Sequence, residues 1–283
     1  PGQRVGVLLQ AGCPAPGVQP PRQSGAGQYP GSRLCWGELH RPGAAHSDTN
    51  PGKGAGFLRK PVNRLTAPGG RPPGATFMER QIEMVTFYIV RHGQTLLNQL
   101  DRAQGWADSP LTASGKQAAK ELGKALSSVA FQAAYTSDTY RAFYTARLVL
   151  EENGQPDIPI HQDTRLREWC LGIMEAEQNS IFIKRVSEWL GGISFSEMNK
   201  RLPEVATAIK QHDTTGMAET FEQISKRLKE LLISVGSVYP DGSNILVVTH
   251  AFLMKTAAYL FDYENIGNLS KIGNADRMKL LFD

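Results

Sequence analysis

The feature that most constrains this chain is a short apolar run that stops on three functional residues. Residues 85–90 read Val-Thr-Phe-Tyr-Ile-Val, and the chain continues Arg91-His92-Gly93. β-Branched and aromatic residues in an unbroken run suit a strand buried on both faces of a parallel sheet. Ligands of open α/β sheets bind at the carboxyl ends of the strands. Gly93 lets the backbone turn or approach a ligand closely. A neutral His92 is a nucleophile, and Arg91 can fork onto two oxygens of a phosphate. The trio therefore points to phosphoryl transfer onto nitrogen. Taken alone, it fits a strand end with a solvated Arg-His pair equally well.

Three further segments add to it. Residues 244–250, Asn-Ile-Leu-Val-Val-Thr-His, form a second buried-strand pattern ending in histidine, His250. Residues 135–141, Tyr-Thr-Ser-Asp-Thr-Tyr-Arg, read as a strand end running into a helix that carries Arg141 in its first turn. Leu166-Arg167-Glu168 follows another short strand pattern at 158–161. Between these, Thr112 is a helix cap, and Ala118, Leu122, Ala125 and Val129 recur at helical spacing. Phe221, Ile224, Leu228, Leu231 and Val235 mark a longer amphipathic helix, Pro240-Asp241-Gly242 a turn, and 278–282 a last strand. Residues 175–215 are helical but irregular, with Gly191-Gly192 and Pro203 as breaks. Strands alternating with helices predict an α/β fold, a three-layer sandwich around a mostly parallel central sheet.

The motifs and their order resemble the histidine phosphatase superfamily, also called the phosphoglycerate mutase-like family. The matching elements are Arg-His-Gly-x-Thr at 91–95 with Asn98, Gln-Gly-Trp-x-Asp-Ser-Pro-Leu-Thr at 104–112 with Gly115, Thr-Ser-Asp-x-x-Arg-Ala at 136–142 with Thr145-Ala146, Leu-Arg-Glu at 166–168, and Val-Thr-His at 248–250. The resemblance implies that His92 is the nucleophile and becomes a phosphohistidine. It implies that Arg91, Arg141, His250 and Asn98 hold the phosphoryl oxygens, with Gln104 and Gly105 in the substrate-binding set. Glu168 would protonate the leaving oxygen and later activate water. The insertion at 175–215 would cover the site, with Trp189 and Phe195 either lining it or packing in the core. No cofactor and no metal are implied. The expected ligand is a small phosphorylated metabolite, bound by a monomer or homodimer.

Each role has a plainer rival. Glu168 reads equally as a salt-bridge partner of Arg165 or Arg167, Arg141 as a solvated helix charge, and His250 as a satisfied strand-end histidine. Tyr140, Phe143 and Ala146 read as helix packing, and Glu219 only loosely matches a family segment near the substrate. Two departures stand out. Ile173-Met174-Glu175-Ala176 replaces an acidic-Trp-Glu-Gly segment, and Ala251 replaces a glycine. Cofactor-dependent mutases also carry Glu-Arg-x-Tyr-Gly and His-Gly-Asn-Ser-Leu-Arg segments. Here Arg-Glu-Trp-Cys-Leu-Gly (167–172) and His-Ala-Phe-Leu-Met-Lys (250–255) stand instead. A phosphomonoester hydrolase is therefore expected, with a phosphoglycerate mutase or a non-enzymatic phospho-ligand-binding module as alternatives.

Composition divides the chain. Residues 1–77 hold 12 of 17 prolines, 15 of 28 glycines and a net charge of 9 − 2 = +7, leaving 22 − 25 = −3 for residues 78–283. The basic balance belongs to the leader, so it is not a nucleic-acid footprint of the domain. Without apolar periodicity, the leader is expected to be disordered. Of Cys13, Cys35 and Cys170, one lies in the domain, where a buried thiol is expected, so no disulfide framework is implied. No apolar run reaches the length of a membrane span. A cytoplasmic enzyme is expected.

Overall fold

In the computed structural model, residues 5–8, 84–268 and 272–282 are described. The strands are β1 Val5–Leu8, β2 Val85–Arg91, β3 Ala133–Thr136, β4 Ile160–Gln162, β5 Asn244–Thr249 and β6 Arg277–Phe282. The α-helices are α1 Leu96–Gln99, α2 Ala113–Ala125, α3 Tyr140–Asn153, α4 Asn179–Trp189, α5 Phe195–Lys200, α6 Leu202–His212, α7 Phe221–Gly236 and α8 Ala251–Phe261. The sheet order is β1-β6-β2-β5-β3-β4. Strands β2, β5, β3 and β4 are mutually parallel, and β6 runs antiparallel to both β2 and β1.

The two faces of the sheet follow from the period-two alternation of side chains along each strand. Tyr88, Val90, Leu246 and Val248 join the helices α2 and α3 in one buried cluster. Phe87, Ile89, Ile245 and Val247 join α7, α8 and the helices of the 175–215 insertion in the other. This is the expected three-layer α/β sandwich. Pairing of Arg91 with Thr249 in the β2–β5 register ends both strands at one level. That puts His92 and His250, one residue further along, side by side.

Local chemistry explains where elements begin and where expectation and structure differ. Thr112 caps α2 by accepting from Gly115 N. The buried stripe of α2 is Gly115, Ala119 and Leu122, continued by Leu126; Ala125 is exposed, so the expected face is rotated by one residue. Close approach sets this face. A Cβ on Gly123 would lie 2.5 Å from Val149 O of α3. The strand expected at 158–161 is Ile160–Gln162, because Pro159 has no N–H to give the ladder. Gly191 and Gly192 break the insertion with positive φ, as expected, but Pro203 opens α6 in its first turn, where a missing N–H costs nothing. Tyr140 does not pack; it is exposed and stacks on Tyr144. Trp189 stacks on His212 and packs partly against the core, whereas Phe195 is exposed. Cys170 is buried and free.

The leader, expected to be disordered throughout, contributes β1. Val-Gly-Val-Leu covers the otherwise open hydrogen-bonding edge of β6, which is the requirement an edge strand imposes. The rest of the leader lies outside the described residues. Among the described residues, no helix is long and apolar enough to cross a membrane.

Candidate active site

The site lies at the carboxyl ends of β2 and β5. His92 N donates to Thr249 O across the two strands, and the His92 and His250 ring centroids are 5.1 Å apart. Both rings are buried. His92 Nδ1 lies 2.8 Å from Gly93 O. A carbonyl only accepts, so Nδ1 carries the hydrogen and Nε2 keeps its lone pair. Burial, then Arg141 and Arg91, hold the His92 pKa well below its ordinary value, with the Gly93 bond opposing. The imidazole is thus neutral at neutral pH. Gly93 is required by space, since a Cβ there would meet Gly115 O at 2.5 Å. Its N–H donates to Thr145 Oγ1.

Arg141, the second residue of α3, is fully buried, which excludes the solvated-charge reading. Nη1 donates to Ala107 O and Asp108 Oδ1, and Nη2 donates to Gly105 O at 2.6 Å. Nη2 also lies 3.1 Å from His250 Nδ1. An arginine only donates, so His250 Nδ1 accepts, and His250 Nε2–H points to Ser137 Oγ at 2.8 Å. Burial and Arg141 hold the His250 pKa well below normal. Arg91 is tied through Nη1 to Ile272 O at 2.6 Å. Arg91 Nε and Arg141 Nε are buried and have no hydrogen-bond partner among the described residues. Two cations with idle N–H groups flank one neutral imidazole.

Glu168 is buried beside them, with both rival arginines paired elsewhere: Arg165 with Asp163, Arg167 with Asp138. Its Oε1 accepts from Trp169 N and Leu253 N, and Oε2 from Phe252 N. Two of these amides belong to the first turn of α8, directly after His250, so one helix end orients the acid and the second histidine together. Burial nevertheless raises the Glu168 pKa, outweighing the amides, Arg141 and Arg91.

The remaining expected residues serve more indirectly. Asn98 Oδ1 accepts from Thr95 N and Asn274 Nδ2, and Asn274 Nδ2 also donates to His92 O. What Asn98 offers a ligand is its Nδ2. Gln104 accepts from Thr95 Oγ1 and donates to Ser109 Oγ, so it braces its loop. Gly105 supplies the carbonyl that holds Arg141, and a Cβ there would lie 2.4 Å from Trp169 O. Glu219 pairs with Arg227 and accepts from Cys170 N.

Several residues were missed. Glu175 accepts from the N–H groups of Gly105, Trp106, Ala107 and Leu171, and so shapes the loop that grips Arg141. The departing segment keeps the family's glutamate at this place, which was the available signal. Arg227 donates to the carbonyls of Arg165, Arg167 and Glu168 and fixes the loop bearing the acid. Ser137 and Thr145 stand in the matching motifs without an expected role, and Asn274 carries no motif signal. Among the described residues, no group of three or more His, Cys, Asp or Glu side chains could hold a metal ion.

Comparison with known proteins fits this geometry. Residues 87–282 match the model of the histidine phosphatase superfamily (branch 1). The chain is 30% identical over 171 residues to "Probable phosphoglycerate mutase GpmB" of Salmonella arizonae, covering 60% of this chain and 72% of that protein. The crystal structure of a phosphoglycerate mutase from Bacillus anthracis superposes with a TM-score of 0.64 at 36% identity, over 71% of this chain and 90% of that one. The α-ribazole phosphatase from Shigella flexneri superposes with a TM-score of 0.51 at 25% identity, over 69% of this chain and 89% of that one.

Proposed function

The chain belongs to the histidine phosphatase superfamily, and on that premise we propose that it hydrolyses phosphomonoesters through a phosphohistidine on His92. The observation that carries this reading is the tautomer of His92. Its Nδ1–H is committed to Gly93 O, which leaves Nε2 as the only nitrogen that can attack.

Nε2 attacks phosphorus, the P–N bond forms, and the P–O bond to the leaving oxygen breaks. Glu168, whose pKa burial raises, gives a proton to that oxygen. Arg91 and Arg141, both fixed by main-chain carbonyls, supply the positive charge that meets the negative charge spread over the equatorial oxygens in transfer. A unit charge about 4 Å away is worth on the order of 4 kcal/mol at an effective dielectric near 20. The carboxylate of Glu168 then takes a proton from water, the water oxygen bonds phosphorus, and the P–N bond breaks. Inorganic phosphate leaves and His92 returns neutral.

A mutase reading draws on the names of the Salmonella and Bacillus relatives. It differs only in the acceptor of the second step, a hydroxyl in place of water. Against it stand the segments 167–172 and 250–255, which lack the mutase patterns.

The test is a phosphoenzyme trap. Brief exposure to labelled substrate gives acid-labile, base-stable label on the native chain and none on His92→Ala, which keeps its fold and loses turnover. Near-native hydrolysis by His92→Ala overturns the nucleophile assignment. Chasing the labelled enzyme with phosphoglycerate against water alone separates mutase from hydrolase.

A further inference from the structure

Asn274 takes no part in the reaction above, yet it holds two groups that do. Its Nδ2 donates to His92 O at 3.1 Å and to Asn98 Oδ1 at 3.2 Å. An amide nitrogen carries two hydrogens, so both bonds form at once. The main chain of the nucleophile is thereby held on both sides, since His92 N already donates to Thr249 O.

These contacts settle which way each amide faces. His92 O can only accept, so the nitrogen of the Asn274 amide, and not its oxygen, points at the site. Thr95 N can only donate, and it donates to Asn98 Oδ1 at 3.3 Å. Asn98 Oδ1 therefore faces Thr95 N and Asn274 together. Asn98 Nδ2 is turned away from both and has no partner among the described residues. The Thr95 contact alone is a capping box on α1, in which the third helical residue reaches back to the cap's amide. A capping box needs no Asn274.

Asn274 is itself tied down. It lies in the loop 272–276, just before β6. Ile272 O accepts from Arg91 Nη1, Ala275 N donates to Arg91 O, and Arg91 N donates to Asp276 O. Gly273 N donates to Asp276 Oδ2 within the loop. Ala275 takes a left-handed φ of 62°, which an L-residue adopts only where its surroundings impose it. One short loop thus grips Arg91, His92 and Asn98 from 176 to 182 positions further along the chain.

We propose that Asn274 is a positioning residue for phosphoryl transfer: it turns the Asn98 amide so that Nδ2 meets a phosphoryl oxygen, and it fixes the main chain of the nucleophile. This inference rests on the phosphohistidine reading and adds a residue to that site. A donor aimed in advance needs no reorientation as charge develops, which makes it effective in the transition state. Turned over, the same amide would present its oxygen to the anion.

The test is a double-mutant cycle read by orthovanadate, an anion that adopts the five-coordinate geometry of a phosphoryl group in transfer. Its dissociation constant is measured by calorimetry, independently of turnover, for the native chain, Asn98→Ala, Asn274→Asp and the pair. Asn98→Ala should weaken binding by about ten- to a hundredfold, the range for one hydrogen bond to a charged group. Asn274→Asp puts an acceptor where a donor stood and draws Asn98 Nδ2 toward itself. With Asn98 present, Asn274→Asp should therefore weaken vanadate by a factor about tenfold larger than with Asn98→Ala. The added negative charge acts in both backgrounds and cancels. Asn274→Ala should show coupling of the same sign but smaller, because Thr95 N still holds Asn98. Equal factors in the two backgrounds overturn the proposal, since Asn274 then acts through charge or as a brace alone. Native affinity in Asn274→Asp also overturns it. If Asn274→Asp does not fold, the cycle with Asn274→Ala decides by the same criterion. Absence of any phosphohistidine on the native chain would instead overturn the hydrolase reading; phosphohistidine without coupling overturns only the role of Asn274.

Discussion

The phosphate-holding side of the site and the side formed by α8 and the insertion are held together by different forces. On the first, main-chain groups fix each side chain: Gly93 O holds His92, Ile272 O holds Arg91, and Gly105 O and Ala107 O hold Arg141. On the second, rings hold one another. Trp169 stacks on Phe252 at 5.0 Å, Phe182 meets Phe252 at 6.3 Å, and Trp169 meets Phe221 at 6.1 Å. Hydrogen bonds fix atoms in direction as well as distance, whereas apolar contacts fix volume and tolerate repacking. The comparison teaches that the groups at the strand ends are fixed in direction, while the ring side is fixed only in volume. Glu168 stands at the seam, with a main-chain grip and a neighbour from each side.

The largest effect that could break this division is a leaving-group test. Arg141→Ala should slow phosphoenzyme formation by about 10²–10³ for alkyl phosphates and p-nitrophenyl phosphate alike, since it serves the phosphoryl group itself. Glu168→Gln should cost about 10²–10⁴ with an alkyl phosphate and far less with p-nitrophenyl phosphate, whose phenolate needs no proton. With alkyl substrates the native enzyme should lose rate as pH rises through the raised Glu168 pKa, because the acid deprotonates. Equal slowing of both substrates by Glu168→Gln in pre-steady-state measurement would remove Glu168 from the acid role.

A smaller effect sharpens the electrostatic side. His92 and His250 are both held neutral in the fold, with pKa values depressed below that of the unfolded chain. Between about 6.5 and the depressed values, the unfolded chain binds more protons, so stability falls as pH falls. Each histidine contributes up to about 1.4 kcal/mol per pH unit, the full slope being reached about a unit below 6.5. Glu168 acts in the opposite sense. Its raised pKa lets the folded chain take a proton first, so it adds stability as pH falls through that value. Urea unfolding between pH 6.5 and 5.5 should therefore show His92→Ala losing about 1 kcal/mol less stability than native over that unit. Identical slopes would mean that His92 is not held neutral.

The smallest effect concerns the loop that joins the two sides. Ala176 adopts a φ of 58°, which costs an L-residue about 1–2 kcal/mol. Glycine gives back about 0.5–1 kcal/mol through the unfolded chain. Ala176→Gly should thus stabilise by about 0.5–1 kcal/mol, seen as a melting point higher by about 2 °C, with activity unaltered. A lower melting point would show that the Ala176 methyl packs usefully.

Much of the site was legible because its residues stand at ends of strongly patterned elements. The apolar runs of β2 and β5 carry their own termination at Arg91-His92 and His250, and Arg141 follows a strand end by a few residues. The long helix α7 showed its buried stripe, Phe221 to Val235, in plain periodicity. Other features were hidden for definite reasons. The buried face of α2 was misplaced by one residue, because Gly115 pressed against Gln94 and Gly123 pressed against α3, and not alanine hydrophobicity, choose the face. Pro203 looked like a break and is a helix start, a distinction that depends on which N–H groups lack partners. Phe195 carried no mark telling core from surface.

The sequence by itself determined where strands and helices end, which reactive groups stand there, and the layered α/β class, since these follow from local backbone preference and the burial of apolar stripes. The tertiary structure alone decided which partners those groups have. Glu175 reaches Trp106 across 69 positions, Arg227 reaches Glu168 across 59, and Ile272 holds Arg91 across 181. It also decided the neutral state of two histidines and the raised pKa of Glu168. Those are properties of charge removed from water beside particular neighbours, and distance in space, not order along the chain, sets them.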